Sequence, residues 1–535
     1  MILNDVRDRL ERLRVDRSLR ESVEMIEAFI SVREKETVEG QSPILFFNAS
    51  SRIHRLSING AINLIASWKI RLAGIPTKYI VCEQGMQQCI LGTNRVDYLS
   101  PPPCKHCMKF SDLLFPKEDS IALTLDYGVV RTVAAEVENL SLQELGEWEF
   151  QDVPVGELCL PGLQWALRRF HLTGDKRTKF LFRQYLASAA SLVQRFRELF
   201  DDLQPQALVV FNGLTYPEAI ARHVAQLNGI NVFTHEVGLQ PFSAFFSSAH
   251  ATFRAFDLAH DFKMNVAEQE ELDRYLFDRF EGRSEMARIQ FWPEISSLSV
   301  ELQQAIEAHT QTVAIFTNVI FDTSQVHAHM IYSDMFAWLD DIKPQILEHP
   351  ETLFVVRAHP DEDRPGKESQ ESVADWIRAS NLEALENVIF LGPAEYASSY
   401  QLIERSKFIM VYNSSIGLEA SIMGVPVLCA GRARYTQLPI AFFPSDRVAY
   451  AAELEKLLQT EVINHPREFV DNARRFLYYE LFRSSLDFSE FLKPYPRAKG
   501  MVRLRKFDPQ RLLESEALAV ISKGILEGES FFYPN

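Results

Sequence analysis

Three short polar stretches of this chain each follow an apolar run, which is where an open α/β sheet places reactive groups. Arg357-Ala358-His359-Pro360 ends the run that begins at 354. Asn413-Ser414-Ser415 ends the run 408–412, and Glu419 comes one turn later. Thr234-His235-Glu236-Val237-Gly238 ends a third. At 413–415, free backbone N–H groups and two hydroxyls could hold phosphate oxygens, and Glu419 could accept from a ribose diol. The competing reading makes Ser414 or Ser415 an N-cap and Glu419 a first-turn acid. His359, stiffened by Pro360, could hydrogen-bond or protonate a leaving phosphate. Arg357 could hold a second phosphate or an acidic sugar, or pair with Asp361 or Glu362. Glu236 is the candidate general base, the carboxylate that takes a proton from an attacking hydroxyl. A loop-capping or Arg-paired carboxylate is the alternative.

Two further groups stand out. Thr317-Asn318-Val319-Ile320-Phe321-Asp322 leaves another strand, with Asn318 and Asp322 as polar groups in an apolar exit, and an H-x-H pair, His327 and His329, follows. Cys82, Cys89, Cys104 and Cys107 are four of the six cysteines, and the last two form C-x-x-C around His106. Four thiolates could bind structural zinc, although the first pair is spaced wider than zinc pairs usually are. Free thiols or a redox pair are the alternatives.

The elements that must position these groups follow from hydrophobic patterning. Strands are expected at 44–47, 78–82, 207–211 and 231–234, with helices through Ile62 to Trp68 and at 219–227. A second set is expected at 312–317, 353–357, 388–390, 408–412 and 426–430, with helices at 334–347 and 398–405. Strands alternating with helices predict parallel sheets. The chain therefore divides into a helical segment at 1–40, a first Rossmann-like domain at 41–263 with a helical insertion at about 105–200, and a helical bridge at 264–310. A second Rossmann-like domain covers 311–470 and a helical tail 471–535. The first helix carries Leu3, Val6, Leu10 and Leu13 at helical spacing. It is read as packed on the domain behind it, with a membrane-surface or partner helix as the sharper alternative.

At 535 residues the chain exceeds one core. Its net charge of −16 argues against a nucleic-acid partner. A local basic patch in the tail (Lys493, Arg497, Lys499, Arg503, Arg505, Lys506) could meet an anionic glycan or a membrane surface. The N-terminus is charged throughout and lacks a secretory h-region, and no apolar run is long enough to span a bilayer. A cytoplasmic location, at the inner membrane face in one version, is the expectation.

Arg357-Ala358-His359-Pro360, then residues 411–419, then Gly424-Val425-Pro426-Val427, in that order, resemble the capsule polysaccharide biosynthesis glycosyltransferases, a group that includes bacterial Kdo transferases. Bacterial sialyltransferases have a similar order of HP and Ser-Ser/Thr motifs, which there bind the CMP part of a CMP-sugar. The resemblance implies a GT-B fold, two Rossmann-like domains facing across a cleft. It gives His359, Ser414 and Ser415 to a donor nucleotide; Arg357, Asn318, Asp322, Asn413 and Glu419 are expected beside them from their own places after the strands. The expected activity is transfer of a sugar from a nucleotide-sugar, CMP-linked in one version, to a growing surface or capsule polysaccharide, free or lipid-linked. No cofactor is then required for catalysis. A non-hydrolysing sugar-nucleotide epimerase and a non-catalytic scaffold of polysaccharide assembly are the alternatives. The sialyltransferase acidic motif, two acids before a glycine, is absent: Glu236-Val237-Gly238 has one.

Overall fold

The computed structural model describes residues 2–33 (backbone alone to 13), 41–49, 55–255, 262–280, 297–366, 368–395, 397–496, 498 and 500–534. The expectations for Arg497, Lys499 and part of the bridge lie outside these residues, as do the side chains of Leu3, Val6, Leu10 and Leu13.

The first sheet is built from β1 (Ile44–Phe47), β2 (Thr77–Cys82), β3 (Ser120–Leu123), β4 (Ala207–Phe211), β5 (Asn231–Val237) and β6 (Ser243–Ser247). The second is built from β7 (Gln311–Phe316), β8 (Thr352–Arg357), β9 (Val388–Leu391), β10 (Phe408–Val411) and β11 (Val427–Cys429). A late strand, β12 (Leu486–Asp487), completes the first. The spatial orders are β12-β6-β5-β4-β1-β2-β3 and β11-β10-β7-β8-β9. β1 to β5 run parallel, as do all five strands of the second sheet. Counted from the first strand of each sheet, both share the order 3-2-1-4-5, the doubly wound topology. The strands bury both faces, so they read as continuous apolar runs rather than as alternation: β1, β8 and β10 are buried at every position. Their side chains feed four apolar clusters, two around each sheet. This is the GT-B arrangement of two α/β units.

Three expectations change. The insertion at 105–200 contains β3, which pairs with β2 in register Tyr79↔Ser120. The segment is therefore the β3-to-β4 crossover, whose long helix Lys176–Leu203 packs its buried side chains into the first sheet's core. Strand β3 escaped notice because it has four residues and only Leu123 is fully buried. The tail is not a helical appendage: β12 pairs antiparallel with β6, and Leu518 and Ile521 of the helix Glu516–Glu527 share a core with Ile62 and Ile65. The helix expected over 334–347 is two helices, Met335–Asp341 and Lys343–Glu348, separated at Ile342. Pro344 cannot continue a helix's hydrogen-bond ladder but suits its first turn.

The first helix, Ile2–Arg33, packs as the blander reading holds over its visible half: Leu19, Val23, Ile26 and Ile30 are buried with the first sheet's core. No helix among the described residues is long and apolar enough to cross a membrane.

A clasp joins the two units. The chain after the helix Val155–Leu167 crosses to the second sheet, where Trp165 and Phe170 pack on its core. His171 lies 3.0 Å from Glu371 through Nδ1 and 3.4 Å from Asp334 through Nε2. Glu371 also accepts the backbone N–H of Phe170 at 2.7 Å. The two carboxylates raise the His171 pKa to about 10.

Candidate functional site

In a doubly wound sheet the ligand crevice opens where the strand order reverses, outside the carboxyl ends of the two central strands. In the second sheet that point lies between β7 and β10. The chain leaves β7 at Asn318 and β10 at Asn413, and the Asn413 backbone N–H donates to Asn318 Oδ1 at 3.4 Å. Gln325 Nε2 donates to Asn413 Oδ1 at 3.0 Å, and Asn413 Nδ2 donates to the Ser324 carbonyl at 3.1 Å. Asn318 and Asn413 thus hold the β7 exit loop against the β10 turn. Ser414 is fixed through its carbonyl, which accepts from Tyr435 Oη at 3.0 Å. The hydroxyls of Ser414 and Ser415 have no partner among the described residues. Ser415 occupies the cap position of the helix Ile416–Ile422 without a side-chain cap bond, so the plain N-cap reading fails there.

Arg357 and His359 leave β8, beside β7. The Arg357 guanidinium donates to the Glu395 carbonyl at 2.9 Å rather than pairing with Asp361 or Glu362, and burial lowers its pKa to about 10. His359 Nδ1 accepts the Asp361 backbone N–H at 3.1 Å. A neutral imidazole has one donor nitrogen, so its proton sits on Nε2. Burial pushes the imidazole below its usual range, while Asp361 and Asp322 pull the other way. His359 is therefore a neutral hydrogen-bond donor near pH 7.

In the first sheet the order reverses between β1 and β4. Asn212 and Gly213 leave β4 with φ of 56° and 75°, and the Asn212 Oδ1 accepts from the Leu214 N–H at 3.1 Å. A Cβ on Gly213 would come within 2.9 Å of Arg222 and 3.1 Å of Thr234, so this turn needs glycine for both space and dihedral. The turn aims the Asn212 amide at Glu236 on β5: Nδ2 donates to Oε2 at 2.9 Å. Asn59 Nδ2 donates to Oε1 at 3.4 Å, and the Val237 N–H donates to the same oxygen at 2.8 Å. Among the described residues, no cation is one of the groups acting on the carboxylate. Burial raises its pKa, the three hydrogen bonds oppose the rise, and the charge of Asp322 adds to it.

Asp322 is the link between the halves. It is exposed on the β7 exit loop and lies within electrostatic reach of Glu236, His359 and Arg168. The charge of Asp322 thereby reaches Glu236 of the first sheet and His359 of the second, and Arg357 acts on His359. Sequence reasoning missed Asn212 and Asn59, which orient Glu236. It also missed Arg168, a buried guanidinium 3.9 Å from the Trp165 ring, with its pKa lowered to about 9 by burial. The signal available was Asn-Gly directly after an apolar run, a pair that favours left-handed turns.

Glu419 does not sit as expected. Its Oε1 accepts from Arg279 Nη2 at 3.1 Å and Nε at 3.3 Å, and its Oε2 accepts from Tyr400 Oη at 2.6 Å. Both oxygens are engaged in a buried ion pair, so the ribose role is withdrawn. The H-x-H pair also separates. His329 bonds Tyr412 Oη at 2.7 Å through Nδ1, while the His327 ring lies tilted against His250, 4.5 Å between centroids. The four cysteines line one small pocket of about 20 Å³ with Ala49, Met86, Leu91, Pro102 and Pro103. Among the described residues no three His, Cys, Asp or Glu side chains are placed to hold a metal ion. The thiols are gathered without closing on a common point, as a tetrahedral site requires. Burial and the neighbouring thiols push the Cys89 pKa far up, so it is a protonated thiol here.

The Capsule polysaccharide biosynthesis protein family matches over residues 286–443, which contain β7 to β11 and all the C-terminal site residues. A comparison with curated protein sequences found no match. Among solved structures, the chain is similar to KpsC of Thermosulfurimonas dismutans, titled a beta Kdo 2,4 transferase, at 12% identity and a TM-score of 0.35 over 58% of this chain and 87% of that one. It is also similar to a UDP-GlcNAc 2-epimerase from Neisseria meningitidis, at 12% and 0.25 over 81% and 97%. A sucrose-phosphate synthase from Thermosynechococcus elongatus matches at 10% and 0.28 over 82% and 95%. The family match thus covers the second sheet and less than half of the chain.

Proposed function

We propose that this protein is a glycosyltransferase that moves a sugar from a nucleotide-sugar, CMP-linked in one version, onto a surface or capsule glycan. The observation that carries this reading is that the charge of Asp322 acts on both Glu236, a carboxylate held by amides rather than by a cation among the described residues, and His359, an imidazole donor with Arg357 beside it. Glu236 takes the proton of the acceptor hydroxyl as its oxygen bonds to the anomeric carbon. The bond from that carbon to the donor phosphate breaks, and the electron pair leaves with the phosphate. His359 Nε2–H and Arg357 stabilise the charge that develops there. The free hydroxyls of Ser414 and Ser415 supply further donors. In this reading these side chains fill the role a divalent cation would otherwise take, so a chelator leaves transfer unchanged. The basic residues Lys493 and Arg503, facing each other across a short hairpin, suit an anionic acceptor or a membrane surface.

The test is a thermal-shift series of the purified chain with CMP, CDP, UDP, GDP and dTDP, repeated with His359→Ala. Stabilisation by one nucleotide, lost in the variant, is the expected result. No shift with any of them would sink the reading. Isomerisation of a UDP-sugar without acceptor would replace it with an epimerase.

A further inference from the structure

Away from Glu236 and His359, a second group of side chains spans the two units. Arg222 lies on the helix Glu218–Leu227 and His250 follows β6; both belong to the first sheet. His327 follows β7 and Arg432 follows β11; both belong to the second. Arg222 Nη1 lies 3.2 Å from His250 Nε2, and the His250 and His327 rings meet tilted at 58°, their centroids 4.5 Å apart. Phe253 lies 5.9 Å from the His327 ring and carries the Arg432 guanidinium 4.0 Å from its centroid. All five side chains are half-buried.

The charges acting on this group have one sign. His250 feels Arg222 and His327, and His327 feels Arg432 and Arg222; no carboxylate of the described residues is among the causes of either shift. Burial and these cations hold both imidazoles below their usual range, His250 at about 4. Both are neutral near pH 7. Because Arg222 can only donate, His250 Nε2 must accept, and its proton sits on Nδ1. That N–H is buried without a partner among the described residues, as is His327 Nε2. Two guanidiniums and an unmatched imidazole donor, with no acid beside them among the described residues, form a positive field open to an anion. The ring of Phe253 offsets the charge of Arg432 only in part.

We propose that Arg222, His250, His327 and Arg432 form an oxyanion site that holds a phosphate or carboxylate group between the two units. Planar guanidiniums match both groups. Each unit supplies one arginine and one histidine, so the anion bridges the halves and favours their closed arrangement. The earlier reading enters only in naming what carries the anion, a glycosyl substrate; the site itself stands on the charges.

The test uses the whole chain with inorganic pyrophosphate, inorganic phosphate or glucuronate at fixed ionic strength, read by thermal shift and calorimetry. The expected result is saturable stabilisation by at least one of them, with affinity about 10-fold lower in Arg432→Gln and reduced in His327→Gln, the loss of charge-assisted hydrogen bonds. Preference for pyrophosphate names a phosphate source, and preference for glucuronate an acidic sugar. The same affinity in both variants as in the wild type, or no saturable binding, overturns the proposal. So does an equal fall in melting temperature with and without anion, which marks a purely structural contact. If a nucleotide still stabilises the chain through His359 while these anions do not bind, this site fails and the donor reading survives.

Discussion

Glu236, near the end of β5, and Glu419, in the helix that follows β10, are both carboxylates largely withdrawn from water, and both were drawn from the sequence as site residues. Their partners separate them. Glu236 is held by two side-chain amides and a backbone N–H, which orient a carboxylate without neutralising it. Glu419 is held by Arg279 and Tyr400, and its charge is cancelled. Amide partners leave a carboxylate with its proton affinity raised by burial, which suits a base; an arginine partner ties it into the frame.

The largest effect should come from Glu236→Gln, which keeps the shape and the Asn59 contact while removing the base. Transfer should fall about 10²- to 10⁴-fold, with nucleotide-dependent stabilisation retained. If turnover survives, Glu236 is another structural carboxylate, and the contrast with Glu419 collapses.

Glu419→Gln should show the opposite pattern. It leaves the Arg279 charge half-buried and unpaired, at a cost of about 3 kcal/mol in denaturant unfolding. The remaining folded enzyme should have near-normal kcat. A variant that folds normally but fails to bind nucleotide would return Glu419 to the donor site.

Asn212→Ala sharpens the comparison further. The Asn212 hydrogen bond favours the charged form of Glu236, so its loss raises the carboxyl pKa again. The acid limb of the rate profile, where the base is protonated, should move to higher pH, with kcat about 10-fold lower at neutral pH. An unmoved limb would mean that another group titrates.

The smallest effect concerns the clasp. The His171 pKa is raised to about 10 in the folded chain. Its contribution is therefore fully present below about pH 6.5, the ordinary histidine value, and is lost as pH rises toward 10. The melting temperature of wild type should exceed that of His171→Asn at pH 6 and converge with it near pH 10. The gap should also shrink in salt, because the ring is half-exposed. A gap independent of pH would assign the clasp to Trp165 and Phe170 packing alone.

The sheets were legible because buried parallel strands are written as apolar runs, and those at 44–47 and 207–211 lie where the pattern puts them. Strands β3, β6 and β12 were not: β12 has two residues, and β3 is mostly half-buried, so neither forms a run. At the site, Glu236, Arg357, His359 and Asp322 were legible as polar groups at strand exits. The partners of those groups were not. Asn59 is 177 residues from Glu236, and Arg279 is 140 from Glu419.

What the sequence determined by itself is which residues stand at the carboxyl ends of strands, since strand periodicity and exit position are local properties. Which carboxylate meets amides and which meets arginine, and that Arg222, His250, His327 and Arg432 gather without an acid among the described residues, were decided by the tertiary structure. Those outcomes depend on how the two units pack, and electrostatic fate follows from neighbours in space rather than along the chain.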